Sequence, residues 1–209
     1  MTDHIKYPKT FHLPWSEGIT NDDKVMSQHP FGAKRVIITE KMDGENTTLY
    51  NDHIHARSLD SRHHPSRDWV KQFWSTIRHE IPEGMRICGE NVYAQHSIGY
   101  NDLQSFFLGF SIWNGNTCLD WDTTVEWFDL LGITPVPVLY DGPFSRRVAI
   151  QVWGQMDPEC NEGYVIRMAS SFQLEDFQQN VGKFVRPAHV QTDEHWMNGP
   201  VTPNRLKDE

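Results

Sequence analysis

Apolar and polar residues follow strand-like patterns along most of the chain after Lys34. Residues 34–41 (KRVIITEK) place β-branched residues between charged ends, which is typical of a strand. Residues 45–50 and 53–58 are two further strand segments, and the Asn51-Asp52 pair between them predicts a β-hairpin. Later in the chain the same kind of pattern predicts four more strands, over residues 85–94, 103–113, 162–168 and 181–187.

Three other segments space their apolar residues at helical intervals. The clearest is residues 67–80, where apolar residues recur every three or four positions until a Pro and a Gly end the pattern. Residues 121–131 predict a second helix that stops at Gly132. Residues 145–155 predict a third.

The remaining segments set the expected organisation of the chain. Residues 1–33 are rich in Pro, Gly, Asp and Asn and predict an irregular lead-in with room for one short helix. Residues 133–140 are extended, and their two prolines favour a sheet edge, whereas residues 172–179 predict a loop. We therefore expect an α+β domain over 34–188 with mostly antiparallel sheets and flanking helices, followed by a polar extension over 189–209.

Composition narrows the class of protein. The chain has 209 residues, 38% of them hydrophobic, with eight Trp and eleven Phe, which is enough for a globular core. No apolar run approaches the length of a bilayer span, and the N-terminus lacks the apolar stretch of a signal peptide, so we expect no membrane partner. Three widely spaced cysteines form no disulfide framework and suit the reducing cytoplasm.

The net charge of −9 weighs against a protein that coats nucleic acid by charge alone. A local basic segment nevertheless occurs at residues 57–71, which hold Arg57, Arg62, Arg67, Lys71 and two histidines against two aspartates. This segment is either a solvated loop that leads into a helix or a surface that contacts phosphates.

Lys41 is the sharpest candidate for chemistry, because it stands at the end of a predicted strand, directly before an Asp-Gly turn. The strand fixes its position, and Gly44 would let the backbone approach a ligand closely. A lysine becomes a nucleophile when burial or neighbouring cations lower its pKa. An ordinary charged hairpin has the same local pattern, so the Lys-x-Asp-Gly match is weak when taken alone.

Lys41 belongs to a series of six short motifs that occur in order between Lys34 and Arg186. Together they resemble the nucleotidyltransferase motifs of ATP-dependent RNA ligases, whose superfamily also contains DNA ligases and mRNA capping enzymes. The resemblance implies the nucleotidyltransferase (adenylation-domain) fold. The motifs are EKMDGEN (40–46), ARS (56–58), CGEN (88–91), FFLGFSIW (106–113), EGYVIR (162–167) and GKFVR (182–186).

The resemblance also implies a role for individual residues around a bound ATP. Lys41 would form a phosphoramide with AMP, and Lys183 would bind phosphate. Phe110 would stack on the base, with Phe107 as a second candidate, and Glu162 would organise a Mg²⁺ or Mn²⁺ ion. The other implied nucleotide-binding residues are Glu40 beside the adenine, Asp43, Gly44 and Asn46 in the turn under the nucleotide, and Arg57 and Glu90 at the ribose and phosphate.

The last motif departs from the family pattern, which has two lysines separated by one residue. Here Lys183 is followed by Arg186 as the second candidate cation for catalysis, and arginine cannot share a proton as lysine can. Ordinary structural explanations also exist for these residues. Phe110 could be core, Glu90 a turn carboxylate, and Glu162, Lys183 and Arg186 surface charges on strands.

The resemblance implies ATP-dependent RNA ligation, as in RNA repair. AMP would pass from Lys41 to a 5′-phosphate RNA end, and a 3′-hydroxyl would then displace it. Lys183 and the metal ion would favour the neutral form of Lys41 by charge repulsion. The chain has no room for a C-terminal OB-fold or helical domain, so we expect a minimal form in which Arg62 and Arg67 bind the RNA. The alternatives are a DNA ligase, a capping-type nucleotidyltransferase, or an inactive nucleotide- or RNA-binding module of the same fold.

Overall fold

A computed structural model describes residues 4–27, 31–187 and 200–207, and within them two β-sheets lie on either side of a large cavity. The expected α+β class with mostly antiparallel sheets is confirmed. The strands in chain order are β1 (Phe11–His12), β2 (Arg35–Glu40), β3 (Glu45–Leu49), β4 (Ile54–Ala56), β5 (Met85–Asn91), β6 (Phe107–Asn114), β7 (Thr117–Cys118), β8 (Thr134–Pro135), β9 (Val138–Pro143), β10 (Gly163–Met168), β11 (Phe172–Gln173) and β12 (Val181–Val185). The α-helices are α1 (Asp68–Ile77), α2 (Trp121–Leu131), α3 (Arg146–Trp153) and α4 (Phe177–Asn180).

Sheet A has the strand order β1-β12-β10-β2-β9. Its pairs are antiparallel except β1 with β12, which run parallel. The register places Thr39, Val165, Lys183 and His12 side by side in one row across four strands. Because neighbours in such a row point to the same face of a sheet, Lys183 and His12 share the face that carries Thr39.

Sheet B has the order β11-β7-β6-β5-β3-β4, and β8 adds a parallel pairing to β6. Asn46 of β3, Glu90 of β5 and Leu108 of β6 are successive Cα partners across its centre. The register between β5 and β6 shifts at Gly89. Sheet B therefore carries the polar residues Asn46 and Glu90 next to each other in its middle.

The helices cover the sheets and form the core with them. Helices α1 and α2 contribute Val70, Ile77, Phe128 and Leu131 to a buried cluster with the apolar residues of β3, β5 and β6. Helix α3 packs in the same way against sheet A, where the Trp153 ring lies 4.8 Å from that of Phe184. Burying each large apolar side chain in these clusters contributes about 1.5–3 kcal/mol.

Most of the elements predicted from the sequence are confirmed. The hairpin of β3 and β4 forms on either side of the Asn51-Asp52 turn, and β9 is an edge strand of sheet A. Helix α2 begins where the Asp120 carboxylate accepts a hydrogen bond from the Thr123 amide, and it ends at Gly132, whose φ of 64° is left-handed. Helix α3 is capped by Ser145.

Two segments without a predicted strand or helix contain short elements. The described part of residues 1–33 is mostly irregular and contains no helix, and its β1 pairs with β12 and thereby joins sheet A. The predicted loop over 172–179 contains β11 and most of α4. Both elements are too short to leave a periodic signal, and long-range contacts decide them: β1 exists because its backbone bonds to β12, and Phe177 anchors α4 in the core.

The end of the described chain packs against the long segment after β5. Asn204 is buried and bonds to the backbone of that segment, and Pro203 and Leu206 form isolated bridges with Ala94 and Leu103. The boundaries at 34–188 and 189–209 stay predictions, and residues 188–199 of the proposed extension lie outside the described residues. None of the described helices combines the length and apolarity that a bilayer crossing requires.

Candidate active site

A cavity of about 1320 Å³ between the two sheets holds the residues with the most distinctive chemistry. Lys41, Glu162 and Lys183 reach it from sheet A, and Glu90 and Phe110 reach it from sheet B. Each of these five residues comes from a different motif, and the motifs are far apart in sequence. The fold therefore brings the predicted set together in one place.

Lys41 directly follows β2, and its amide donates a hydrogen bond to the Gly163 carbonyl oxygen at 3.0 Å. Its ammonium donates to Glu162 Oε2 at 2.6 Å, and the Glu162 side chain is only 1% exposed. Burial lowers the pKa of Lys41, but the charges of Glu162 and Glu90 outweigh this effect, so the pKa is raised overall. Lys41 is therefore an ammonium ion in this structure.

Lys183 on its own does not keep Lys41 neutral, and the expectation that Lys183 and a metal ion together favour the neutral amine stays a prediction. Burial, followed by the charge of Lys41, lowers the pKa of Lys183 to about 8. The repulsion between the two lysines thus appears at Lys183, because Lys41 has the buried carboxylate as its direct partner and Lys183 does not.

Glu90 and Asn46 form the opposite wall of the site. Burial raises the pKa of Glu90 to about 8, against the effect of Lys41 and with support from the negative charge of Glu162. The Oδ1 atom of Asn46 is buried and accepts no hydrogen bond from the described residues. A buried acceptor of this kind in the lining of a cavity is suited to a donor from a ligand, such as a ribose hydroxyl.

Asp43 and Gly44 fix the turn after Lys41 to neighbouring backbone. Asp43 Oδ2 accepts hydrogen bonds from the Ser97 amide, the Ser97 hydroxyl and the Ile98 amide at 2.8, 2.6 and 2.9 Å. A Cβ at Gly44 would lie 2.5 Å from the Asn91 carbonyl oxygen. Gly44 thus allows close approach to β5, and because it also lines the cavity, its close approach to a ligand stays a prediction.

Glu40 and the aromatic candidates differ in how they meet the cavity. Glu40 lines it and accepts a 2.7 Å hydrogen bond from Asn161, and burial raises its pKa. Phe110 is half-buried, lines the cavity, and meets the Tyr7 ring edge-on at 5.3 Å. Phe107 is fully buried in the core against Gly89, so the structure leaves Phe110 as the candidate for base stacking.

The cationic candidates divide into two groups. Arg57 and Arg62 are exposed and line the cavity from the segment after β4. Arg67 also lines it, but its guanidinium makes two hydrogen bonds to the Glu45 carboxylate and one to the Arg62 carbonyl oxygen. Arg67 therefore holds its segment to β3, and Arg62 is the better placed of the two to meet RNA.

Arg186 is not among the described residues that line the cavity, and its catalytic role stays a prediction. It follows β12 three positions after Lys183. Its amide bonds to the Glu162 carbonyl oxygen, which makes it a backbone neighbour of the site.

Sequence reasoning missed two parts of the cavity wall. One is the N-terminal segment with Lys6, Tyr7, Lys9 and Asp23, and the other is residues 200–202 near the end of the chain. Neither carries a periodic pattern or a motif. Their positions follow from the pairing of β1 with β12 and from the docking of Asn204, which sequence spacing does not reveal.

The acidic residues fit a divalent cation that keeps most of its water. Among the described residues no three His, Cys, Asp or Glu side chains come together as a metal-binding group. Glu162 and Glu90 instead present carboxylates on two sides of Lys41. Mg²⁺ typically binds through one or two carboxylates together with substrate phosphates, and this donor set suits it.

The comparisons with known proteins agree with this fold. The family model described as RNA ligase matches residues 34–185. An archaeal ATP-dependent RNA ligase is 16% identical with a TM-score of 0.57, over 86% of this chain and 48% of that chain. The RNA ligase of Naegleria gruberi solved with pyrophosphate is 16% identical with a TM-score of 0.52, over 86% of this chain and 57% of that one.

A third similar structure is a putative ATP-dependent DNA ligase from Aquifex aeolicus, 18% identical with a TM-score of 0.50, over 73% of this chain and 44% of that chain. At these identities the likeness concerns the fold alone. The chain spans about half the length of these solved structures. No curated protein sequence matches it.

Proposed function

The chain belongs to the RNA ligase family, and we propose that it is an ATP-dependent RNA ligase that works through a covalent lysyl-AMP intermediate on Lys41. The observation that carries this proposal is the 2.6 Å hydrogen bond from the Lys41 ammonium to a fully buried carboxylate, inside a cavity that also contains Glu90 and Lys183. A lysine held so firmly in a large cavity is suited to a single, directed attack.

In the first step the neutral amine of Lys41 attacks the α-phosphorus of ATP. A P–N bond forms, the bond from that phosphorus to the bridging oxygen breaks, and its electron pair leaves with pyrophosphate. The ammonium loses one proton before the attack and the new phosphoramide nitrogen loses a second one. We propose that the first proton leaves Lys41 along its hydrogen bond to Glu162 Oε2.

Other residues of the cavity have complementary tasks. Lys183 would offset charge on the α-phosphate. It lines the same cavity as Lys41, and the two are close enough for the charge of Lys41 to lower the pKa of Lys183. Phe110 would stack on the base, and the unsatisfied Asn46 Oδ1 would accept from the sugar. Glu40 and Arg57 would complete the nucleotide site from its rim. Asp43 positions the turn.

A divalent cation held by Glu162 and Glu90 would stabilise the charge that develops on the phosphate oxygens. The charges of Glu162 and Glu90 raise the pKa of Lys41, so a cation that neutralises these two carboxylates would favour the loss of a proton from Lys41. We propose Mg²⁺ or Mn²⁺ for this position.

The two later steps would join RNA. A 5′-phosphate oxygen attacks the phosphorus of lysyl-AMP and the P–N bond breaks, after which a 3′-hydroxyl attacks the 5′-phosphorus and AMP leaves. Arg62 is exposed at the cavity and would meet the RNA backbone. RNA is preferred over DNA as the substrate because the family match is to RNA ligases, and the likeness to a putative DNA ligase keeps DNA as the second candidate.

A role in RNA repair and a cytoplasmic location remain predictions. The location rests on Cys88, Cys118 and Cys160, all of which are unpaired thiols in the structure. The proposed domain, 34–188, would contain the chemistry, with both flanking segments contributing to the cavity wall.

Labelled nucleotides and defined ends test the proposed function. We expect radiolabel transfer to the protein from ATP and not from GTP, followed by sealing of nicked or single-stranded RNA with a 5′-phosphate. Label from GTP would indicate a capping-type enzyme, and sealing of DNA ends alone would indicate a DNA ligase. A folded protein that takes label from neither nucleotide would indicate an inactive binding module.

A further inference from the structure

The N-terminal segment crosses the cavity from one sheet to the other. At its start the Ile5 amide donates a hydrogen bond to the Tyr50 hydroxyl, next to sheet B. At its end β1 pairs with β12 of sheet A. Residues 6–10 between these two attachments all line the cavity. The segment is thus part of the wall of the site, although no motif marks it.

Within this segment Lys9 is linked by side-chain contacts to the row of sheet A that carries Lys183. Its ammonium is 3.3 Å from the Asp22 carbonyl oxygen and 3.7 Å from Asp23 Oδ1. The other oxygen of Asp23 is 3.5 Å from Nε2 of the buried His12, which is the Cα partner of Lys183. Lys9, Asp23, His12 and Lys183 therefore follow one another across the edge of sheet A.

The electrostatics of His12 support this arrangement. Its pKa is lowered to about 4 by burial first, then by Lys183, with further contributions from Lys41 and Lys9. One buried ring is thus within electrostatic reach of three ammonium groups. Lys9 belongs to the same charged neighbourhood as the proposed nucleophile, even though its side chain is 45% exposed.

Other cations of the described cavity wall lie elsewhere or are bound to the chain. Lys6 also lines the cavity, but it directly follows Ile5, whose amide bonds to Tyr50 beside sheet B. Arg67 is bound to Glu45, and Arg167 donates hydrogen bonds to the backbone carbonyl oxygens of Phe110, Leu119 and Met168. Arg57 and Arg62 lie on the segment that follows β4 of sheet B. On the sheet A side, Lys9 is connected to Lys183 through Asp23 and His12.

We propose that Lys9 binds the β- and γ-phosphates of ATP and offsets the charge of the leaving pyrophosphate. This inference rests on the proposed function. With the α-phosphate between Lys41 and Lys183, the rest of the triphosphate extends to the next positive charge. When the bond to the bridging oxygen breaks, the electron pair goes to pyrophosphate, and a cation at that end stabilises it. Asp23 holds Lys9 on the cavity side.

The test separates the step that involves pyrophosphate from the step that does not. Lys9→Gln removes the charge and keeps most of the stem, Lys9→Arg keeps the charge, and Lys24→Ala is the matched control. Lys24 lies in the same N-terminal region with its ammonium over the Phe11 ring, and it is not in the cavity wall as described. Each full-length variant is assayed for lysine adenylylation with ATP, for release of AMP by added pyrophosphate, and for sealing of RNA that already carries a 5′-adenylate.

We expect Lys9→Gln to reduce kcat/KM for ATP and the rate of pyrophosphate-driven AMP release by about tenfold or more, as for loss of a charge-assisted phosphate contact. Lys9→Arg should recover most of both rates, and sealing of pre-adenylated RNA should match the wild type. Equal rates in all three assays, or a loss that is largest in the sealing assay, would overturn the assignment, the latter in favour of an RNA contact. If the wild type and Lys24→Ala also form no adduct, the proposed function itself fails.

Discussion

Glu90 shares its cavity with Lys41, Glu162 and Asp43, and burial raises its pKa from 4.5 to about 8. A carboxyl group of this kind binds its proton more tightly in the folded chain than in the unfolded one. Its contribution to stability is therefore complete below about pH 4.5 and is lost as the pH rises through about 8.

Glu90→Gln should reveal this effect, because glutamine imitates the protonated carboxyl and does not titrate. The free energy of unfolding, measured with urea between pH 5.5 and pH 8.5, should fall with pH more steeply in the wild type than in the variant. The free energy of unfolding of the variant, relative to that of the wild type, should therefore increase with pH. Parallel curves would show that the Glu90 carboxyl titrates at an ordinary pKa.

The identity of most site residues could be predicted from the sequence, but their partners could not. Lys41, Glu90, Glu162 and Lys183 were found through motifs, and the fold brings them together. The motif gave no information on which carboxylate bonds to Lys41. That fact depends on strand register, which is a property of the whole sheet.

At the level of elements, the turn after Lys41 is held by a chain of contacts that ends near the C-terminus. The Asp43 amide donates to the Tyr100 hydroxyl at 2.9 Å, and the Tyr100 amide donates to Asn204 Oδ1 at 2.8 Å. Asn204 is 2% exposed and also donates to the Val92 carbonyl oxygen at 2.7 Å. Asn204 is thus a positioning residue that acts on Lys41 through Tyr100 and Asp43.

Asn204→Ala should destabilise the protein by about 1–3 kcal/mol, because it leaves buried backbone groups without a partner. It should also slow lysine adenylylation more than it raises KM for ATP, since the turn loses its support and the nucleotide contacts remain. Urea unfolding and single-turnover labelling measure the two effects. Asn116→Ala, at an exposed turn position, is the control. An adenylylation rate equal to that of the control would contradict the positioning role.

Two arginines between β4 and α1 should have different effects: we expect Arg67 to affect stability and Arg62 to affect RNA binding. Arg67→Ala leaves the Glu45 carboxylate, whose side chain is 12% exposed, without its partner, and should cost about 3 kcal/mol of stability. Arg62→Ala removes an exposed cation and should change stability by less than about 0.5 kcal/mol. We expect Arg62→Ala to weaken RNA joining and to spare adenylylation. Unchanged joining in the Arg62→Ala variant, measured at low and moderate salt, would rule out an RNA contact there.

Long strands and capped helices were predictable, whereas short elements were not. Helix α2 carries Asp120 and Gly132 at its ends, so local chemistry sets its limits. Strand β1 has two residues and depends on β12, about 170 positions later in the chain. The contribution of the N-terminal segment to the cavity wall follows from that pairing. It could not be predicted from the sequence, because the pairing is long-range and the strand is too short to leave a pattern.

On the scale of the whole molecule, the chain is acidic but concentrates opposite charges in one cavity. The net charge is −9, yet the charges of Lys9, Lys41 and Lys183 all contribute to lowering the pKa of the buried His12. The two sheets hold these lysines opposite the carboxylates of Glu90 and Glu162. Such an arrangement suits a polyanionic nucleotide with a divalent cation better than a long nucleic acid bound by charge alone.

The central claim is that Lys41 becomes covalently attached to AMP, and intact-protein mass spectrometry tests it directly. After incubation with ATP and Mg²⁺, the wild type should gain the mass of one AMP group, and peptide mapping should place it on Lys41. Lys41→Ala and Lys41→Arg should gain nothing, whereas Lys34→Ala, an exposed lysine at the start of the same strand region, should gain as the wild type does. A folded wild type without the added mass, or an adduct that persists in both Lys41 variants, would contradict the account.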